Sequence, residues 1–371
     1  MEGINLKYGC NPNQGQAALL MESGAMPLHV LNGEAGFINL LDALNAWQLV
    51  NELTNITSFP SATSFKHVSP AGVGLAYDLT EDEVRVFDAP KNLSPLATAY
   101  LRSRNSDPLA SYGDIVALSG ECDESVAELL KREVSDGVIA PAFSPKALSI
   151  LKQKKGGRYL IMQIDPSFEP ALMERRTLYG MTLTQERNII ELDASLLTNI
   201  VTAKNTLPPS VVIDLLLGLI TLKYTQSNSV CFSKNGQALG IGAGQQSRIA
   251  CTRLAGDKAD LFHLRFHPKL QEYKRDAKMS RQAWNIALEE GMRNYTILTQ
   301  EEQDEYLSTI DGVSLTSDAF FPFKDNIDRA AKSGVRYIAQ SGGSTRDDEV
   351  IASCNEHSIV MALTGVRLFH H

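Results

Sequence analysis

SVCFSKNGQALGIGAG, Ser229 to Gly244, is the stretch that decides the fold class. Two strand-like runs flank Asn235-Gly236, the dipeptide best suited to the tight turn of a β-hairpin. The next segment, Gln245 to Leu254, reads as a helix. A strand, a glycine-rich turn and a helix start in succession expose backbone N–H groups that can hold an anion. Arg248, in the first helical turn, can reach the same anion. The glycines from Gly240 to Gly244 lack the dinucleotide spacing and no phosphate-loop Lys follows, so neither nucleotide motif applies.

Outward from this hairpin, strand-like and helix-like segments interleave, which predicts α/β architecture. Phe37 to Leu53 has helical spacing in Phe37, Leu40, Leu41, Leu44, Trp47 and Val50. Asp114 to Leu118 reads as a buried strand, Glu124 to Val134 as an amphipathic helix, and Gly137 to Ala140 and Tyr159 to Ile164 as strands. Ser210 to Leu222 reads as a buried helix capped by Ser210 after two prolines. Val335 to Ala339 and Ile359 to Leu363 read as strands flanking a helix from Asp347, the closing half of an open α/β domain. Leu264 to Leu307 is polar and helical without strand signals, so it reads as an insertion, with the acidic stretch Thr299 to Asp311 a solvated helix. A boundary is placed near Glu191 to Pro209, and no fixed-period repeat is visible.

The 371 residues, 43% hydrophobic and 21% charged, suit two domains sharing an interface. A formal net charge of −8 argues against a general nucleic-acid binder, and no apolar run is long enough for a membrane span. The start, MEGINLKYGC, has no apolar signal region. Cys10, Cys122, Cys231, Cys251 and Cys354 lack metal spacing and read as buried free thiols in a reducing cytoplasm. There is no Cys-x-x-Cys and no His followed two residues later by Glu, which argues against a zinc deaminase or hydrolase.

Lys66-His67 ends an apolar, Ser/Thr-rich segment and precedes Val68-Ser69-Pro70-Ala71-Gly72. A strand end followed by Pro and Gly is where α/β folds place reactive groups. The Lys offers a cation for developing negative charge beside an imidazole that can accept a proton, although an exposed His taken alone is more often structural. Asn228 lies in the polar cluster Lys223 to Ser229 between a buried helix and a buried strand, read equally as a helix end or as a ligand site. Asp318-Ala319-Phe320-Phe321-Pro322-Phe323 reads either as an aromatic slot for a flat heterocycle or as a hydrophobic plug. The closing Arg367 to His371 reads as a packed tail with one useful cation.

Together these segments resemble the transformylase part of the bifunctional AICAR transformylase/IMP cyclohydrolase family, in its animal-type form. The matching stretches are Leu6-Lys7-Tyr8-Gly9 with Asn11-Pro12, Leu31-Asn32-Gly33 with Gly36 to Asn39, and Ser64 to Gly72. Arg132 to Pro141, Lys223 to Gly256, Ser317 to Asn326 and Arg367 to His371 complete them. The resemblance implies an α/β fold of two tandem cytidine-deaminase-like subdomains without zinc, at residues 1–200 and 201–371, the second carrying the helical insertion near 264–307. It also implies a cytoplasmic homodimer with active sites at the subunit interface. The implied reaction moves the formyl group of 10-formyltetrahydrofolate to the amine of aminoimidazole carboxamide ribotide (AICAR), in purine biosynthesis.

By position, Lys66, His67 and Asn228 would be catalytic, with Asn228 orienting the substrate carboxamide. Lys7, Tyr8, Asn39, Asp136, Arg248, Phe320 and Arg367 would bind AICAR. Phe320, Pro322, Phe323, Asp325 and Ser344 would meet the folate. The family suggests a structural potassium ion, which the residues do not derive, and no catalytic metal. Two positions depart from the family, Lys7 where it has Arg and Asn13 where it has His, so the bidentate fork and a titrating group are lost there. Because the Leu6 motif stands so near the start, the expectation is a stand-alone transformylase without a cyclohydrolase domain. Two other functions are consistent with the residues: a deaminase-like binding or regulatory protein without the reaction, and a folate-dependent transferase acting on a related amine.

Overall fold

The computed structural model describes every residue except Met1, Glu2, Glu22, Ser23, Lys274 and Ala277. The chain opens with the small antiparallel pair β1 (Gly3–Leu6) and β2 (Ala17–Leu20). The edge strand β3 (Leu28–Asn32), α1 (Phe37–Thr57), the hairpin β4 (Ser61–Lys66) and β5 (Ser69–Leu75), and the short α2 (Glu81–Val86) follow. Then come α3 (Pro95–Ser106), β6 (Asp114–Leu118), α4 (Glu124–Arg132), β7 (Ser135–Ala140), α5 (Pro145–Lys152) and β8 (Leu160–Ile164). An exposed hairpin, β9 (Met173–Leu178) and β10 (Met181–Glu186), leads to α6 (Pro209–Lys223). The hairpin β11 (Val230–Lys234) and β12 (Gln237–Gly242), then α7 (Arg248–Leu264), precede the insertion α8 (Pro268–Gln271), α9 (Arg281–Arg293) and α10 (Gln300–Ser308). The chain closes with β13 (Val313–Ser317), α11 (Asp325–Lys332), β14 (Val335–Gln340), α12 (Asp347–Glu356) and β15 (Val360–Leu363).

Among the described residues eleven strands form one mixed sheet in the order β15-β14-β13-β11-β12-β5-β4-β6-β7-β8-β3. Helices α1 and α6 bury one face; α3, α4, α5, α7, α11 and α12 bury the other. Alternation decides which side chain serves which layer: Ile115 and Ala117 of β6 join the α1/α6 layer, whereas Val116 and Leu118 join the opposite one. A strand buried on both faces carries no polar alternation, which is why DIVAL reads as a continuous apolar run.

The chain is an architectural duplication. In the first copy a helix leads into an antiparallel hairpin, a second helix, and three parallel strands joined by helices: α1, β4-β5, α3, then β6-α4-β7-α5-β8. The second repeats this as α6, β11-β12, α7, then β13-α11-β14-α12-β15. Even the edge is repeated: β3 runs antiparallel to β8, and Ile200 bridges Ala362 of β15 in the same sense. The absence of a fixed-period repeat in the sequence is therefore corrected at the level of structure, because the second copy carries the α8–α10 insertion and sequence divergence hides the period. One trace survives, Lys66…Gly72-Val-Gly74 against Lys234…Gly240-Ile-Gly242. These glycines bring the strand against the following helix: a Cβ on Gly72 would collide with the Ser103 carbonyl, and one on Gly240 with the Ala255 carbonyl. Gly240→Ala is expected to destabilise the protein by about 1–3 kcal/mol, because the obstacle is backbone that cannot rotate aside. Unchanged urea denaturation would show that α7 does not need this approach.

Three local expectations shift. The buried helix begins at Pro209 with Pro208 as its cap position, so Ser210 lies inside it and does not cap. The helix expected from Gln245 begins at Arg248, where the Ser247 hydroxyl accepts the Ala250 N–H at 3.3 Å, and it runs on to Leu264. Glu124 to Val134 ends as helix at Arg132, since Ser135 already starts β7. The insertion is helical as expected, with its own small core of Leu264, Leu270, Met292 and Leu298. Four of the cysteines are buried, but Cys10 is exposed. No helix is long and apolar enough to cross a membrane among the described residues.

Candidate active site

Strand directions place the candidate residues. The steps β4 to β5, β5 to β12 and β12 to β11 are all antiparallel, so β11 runs opposite to β4. The end of β4 at Lys66 and the start of β11, just after Asn228, therefore share one edge of the sheet. β13 and β14 run with β4 and deliver Asp318 to Phe323 and Ser341 to Ser344 to that edge, while β6 and β7 start there. A hydrogen bond ties the two copies across it, from Gln226 N to Ser69 Oγ at 3.2 Å.

Lys66 and Ser69 are partners across a two-residue turn whose central residues, His67 (φ 52°) and Val68 (φ 57°), are both left-handed. A β-branched residue there is strained, a cost retained when the surroundings hold it. The holder is Asp42 of α1, whose buried carboxylate accepts the Val68 N–H at 2.6 Å. Burial raises the Asp42 pKa, and the Val68 and His67 N–H groups oppose that rise. Lys66 Nζ donates to the Tyr112 carbonyl at 2.7 Å. The second copy uses the same device without a His: Asp214 accepts the N–H groups of Asn235 (3.0 Å) and Gly236 (2.7 Å), and Lys234 Nζ donates to the Asp311 carbonyl (2.6 Å).

Burial pushes the Asp214 carboxyl up to about 6, against the two N–H donors that lower it. Its folded pKa thus lies above its unfolded value, so its stabilising share is present at low pH and is lost as pH rises from about 4 to about 6. Urea denaturation of parent and Asp214→Asn should show the parent's advantage smaller at pH 7.5 than at pH 4.5, by about 2 kcal/mol. Identical differences at both pH values would refute the assignment.

A cavity of about 320 Å³ opens beside the first turn, lined by Tyr8, Asn39, Asp42, Lys66, His67 and Asp136 among others. The sequence-selected Tyr8, Asn39, Lys66, His67 and Asp136 are thus brought together. Asn39 also caps α1 by accepting the Gly36 N–H at 3.2 Å, and Asp136 pairs with Lys155 Nζ at 2.6 Å. Lys7 is exposed and forms no ion pair among the described residues.

The remaining residues form a neighbouring cluster on the same edge. Asn228 donates to the Gln245 carbonyl at 2.9 Å and accepts from Arg248 Nη2 at 2.9 Å. Arg248 Nη1 also donates to the Ser229 carbonyl at 2.9 Å and pairs with Asp318 Oδ1. The other Asp318 oxygen accepts Ser227 Oγ (2.6 Å), Ser229 N (3.0 Å) and Ser229 Oγ (3.1 Å). The C-terminal tail closes on this knot: Leu368 N reaches the Asp318 carbonyl at 2.8 Å, and Ser227 and His370 exchange hydrogen bonds of 3.0 Å. Burial lowers the His370 pKa foremost. Arg367 stays exposed, its guanidinium 4.7 Å from the Phe369 ring centroid.

The aromatic motif divides between its two readings. Phe321 is the plug, fully buried with its N–H on Gln340 Oε1 at 2.8 Å, whereas Phe320 and Phe323 face outward. Arg346 stands 5.1 Å from the Phe323 ring, and Ser344 and Asp325 lie in the adjoining loop and helix start. Sequence reading missed Asp42, Lys155 and Arg346, and took Asp318 only as the start of the aromatic motif, not as the partner of Arg248. A signal for Asp42 exists in the duplication, since Asp214 plays the same part in the other copy. Among the described residues no three His, Cys, Asp or Glu side chains stand together where they could hold a metal.

A cation and an imidazole on a rigid turn, facing a cavity that also holds two carboxylates, are groups suited to proton transfer and charge stabilisation. Residues 2–258 match the model of the AICARFT/IMPCHase bienzyme family. The chain belongs to that family. It is 31% identical over 374 residues to the bifunctional purine biosynthesis protein PurH of Magnetococcus marinus, and 29% identical over 372 residues to that of Bacillus cytotoxicus. Each alignment covers 99% of this chain and 59% of the relative, so the chain spans about three fifths of the length of these proteins.

Proposed function

We propose that this chain carries the formyl-transfer chemistry of purine (IMP) biosynthesis, moving the formyl group of 10-formyltetrahydrofolate to the AICAR amine. The observation that carries the reading is the Lys66-His67 turn, held by Asp42 against a cavity that Tyr8, Asn39 and Asp136 also line, with Asn228 and Arg248 on the same sheet edge. The AICAR amine is a weak nucleophile because its electrons delocalise into the ring and carboxamide, so orientation and proton removal dominate. Asn228 orients the carboxamide. As the amine nitrogen bonds to the formyl carbon, His67 takes the amine proton and Lys66 stabilises the carbonyl oxygen that becomes an oxyanion. Collapse of that intermediate breaks the bond to folate N10, which takes up a proton and leaves as tetrahydrofolate. Tyr8, Asn39, Asp136, Arg248 and Arg367 hold the ribotide, with Lys7 as a single-point cation. The outward Phe320 and Phe323, with Pro322, Asp325 and Ser344, form the folate face.

The two copies are proposed as the paired cytidine-deaminase-like subdomains, and the protein as a cytoplasmic homodimer. The dimer is supported by β9–β10, whose every residue is exposed although Leu178, Tyr179, Met181 and Leu183 are apolar. For a potassium ion, the oxygens of Ser227, Ser229 and Asp318 are the right donor class. Arg248 already supplies the positive charge at Asp318, so the arrangement does not fit the ion.

The deciding assay follows tetrahydrofolate release with AICAR and 10-formyltetrahydrofolate, with chromatography of the products. Formyl-AICAR formed at an enzyme-dependent rate supports the reading, and binding of both substrates without turnover overturns it. Inosine monophosphate formed with contaminating cyclohydrolase excluded would add ring closure to this chain.

A further inference from the structure

Away from the Lys66-His67 cavity, the insertion leans over the C-terminal end of α3 and leaves two cavities of about 370 and 210 Å³. They are adjacent and share Pro108, Arg265, Asn285 and Leu288 in their walls. The larger is lined by the guanidinium groups of Arg85, Arg104, Arg265, Arg275 and Arg281 against the carboxylates of Asp88 and Glu133. The smaller is mainly apolar, with Leu109, Leu261, Phe262 and Met292 in its wall. Five arginines converging on a protein of net charge −8 are a local arrangement that overall composition does not supply.

Most of these cations have counter-charges. Arg85 pairs with Asp82, Arg104 with Asp114 and Glu133, and Arg281 with Asp88 and Glu133. Arg265 and Arg275 have no ion pair among the described residues. Arg265 donates to Asn105 O and Oδ1, both at 2.7 Å, and lies 5.7 Å from the Phe87 ring. The Asp107 carboxylate near it is engaged by Lys258 at 3.0 Å. Burial lowers the Arg265 pKa to about 10, with Arg281 adding to the fall and Asp107 opposing it. Arg265 is half-buried and shares its nearest carboxylate with Lys258, so an anionic ligand adds counter-charge that the cleft is short of. A second unmet group adjoins it, since Gln271 Nε2 in the same wall is buried with no hydrogen-bond partner among the described residues. The stacked rings of Tyr273 and Trp284, 5.9 Å apart, sit beside the arginines.

We propose that this cleft is a second ligand site, for a nucleoside diphosphate. Its base enters the apolar pocket beside Phe262 and Met292, and its phosphates meet Arg265, Arg275 and Arg281. Guanidinium forks match phosphate oxygens two at a time, and the combined space suits a mononucleotide. The site is separate from the formyl-transfer reading and does not depend on it.

Isothermal titration of the full chain with guanosine 5′-diphosphate tests the assignment, with Trp284 fluorescence as a local reporter. Binding should weaken by about tenfold or more in Arg265→Gln and in the surface variant Arg275→Gln, and persist in Lys66→Leu. Arg275→Gln keeps the test decisive if Arg265→Gln fails to fold. Equal affinity in the parent and Arg275→Gln, or loss in Lys66→Leu alone, would overturn the site. Inorganic pyrophosphate binding as tightly as the nucleotide would overturn the role of the apolar pocket, and no binding at millimolar nucleotide would end the proposal.

Discussion

His67→Asn is expected to fold like the parent and to transfer formyl groups about 10²–10⁴-fold more slowly, the range lost when a positioned proton acceptor is removed. Asn is the informative replacement because it tolerates the left-handed backbone at φ 52°, and Asn235 occupies the same position in the second copy. Asp42 can then still hold the turn through Val68, so lost turnover reports the imidazole and not a collapsed hairpin. Lys66→Leu should cost a comparable factor through the oxyanion, about 10²–10³-fold. Tetrahydrofolate release under saturating substrates measures both. Either variant within a few-fold of the parent would remove that side chain from the mechanism.

The largest stability effect is expected at Asp318. Its carboxylate is fully buried and satisfies Arg248, Ser227 and Ser229 together. Asp318→Ala leaves the Arg248 guanidinium buried without its counter-ion, and breaking such a pair costs about 3–5 kcal/mol. Removing both charges in Asp318→Ala with Arg248→Met should recover part of that loss, since what is costly is the orphaned charge. The single variant should also lose turnover, because Arg248 orients the Asn228 side chain. Urea denaturation of the four proteins closes the cycle. A single-variant loss below about 1 kcal/mol would mean water reaches Arg248 freely.

What could be read along the chain was chemistry that acts over a few residues. Asn235-Gly236 fits a turn needing two positive φ angles, and DIVAL needs burial on both faces. The repeated turn at His67-Val68 was invisible to the same reasoning, since β-branched Val68 disfavours that backbone and its holder, Asp42, lies a helix away in the chain. In the aromatic motif, spacing could not tell Phe321, the plug, from Phe320 and Phe323, because consecutive residues in a loop have no fixed period.

The sequence by itself therefore determined the element types, the α/β class, the helical character of 264–307, and Lys66-His67 at a strand end. Tertiary structure alone decided that β5 pairs with β12, which fuses the two copies into one sheet. That pairing sets the directions of β4 and β11 against each other and brings His67 and Asn228 to a common edge. It also decided that Asp42 reaches Val68 and that Asp318 reaches Arg248. The physical reason is separation: local propensity and periodicity act within a turn or two of backbone. These contacts join residues far apart in the chain, and sheet pairing and burial select their partners only once the chain has folded.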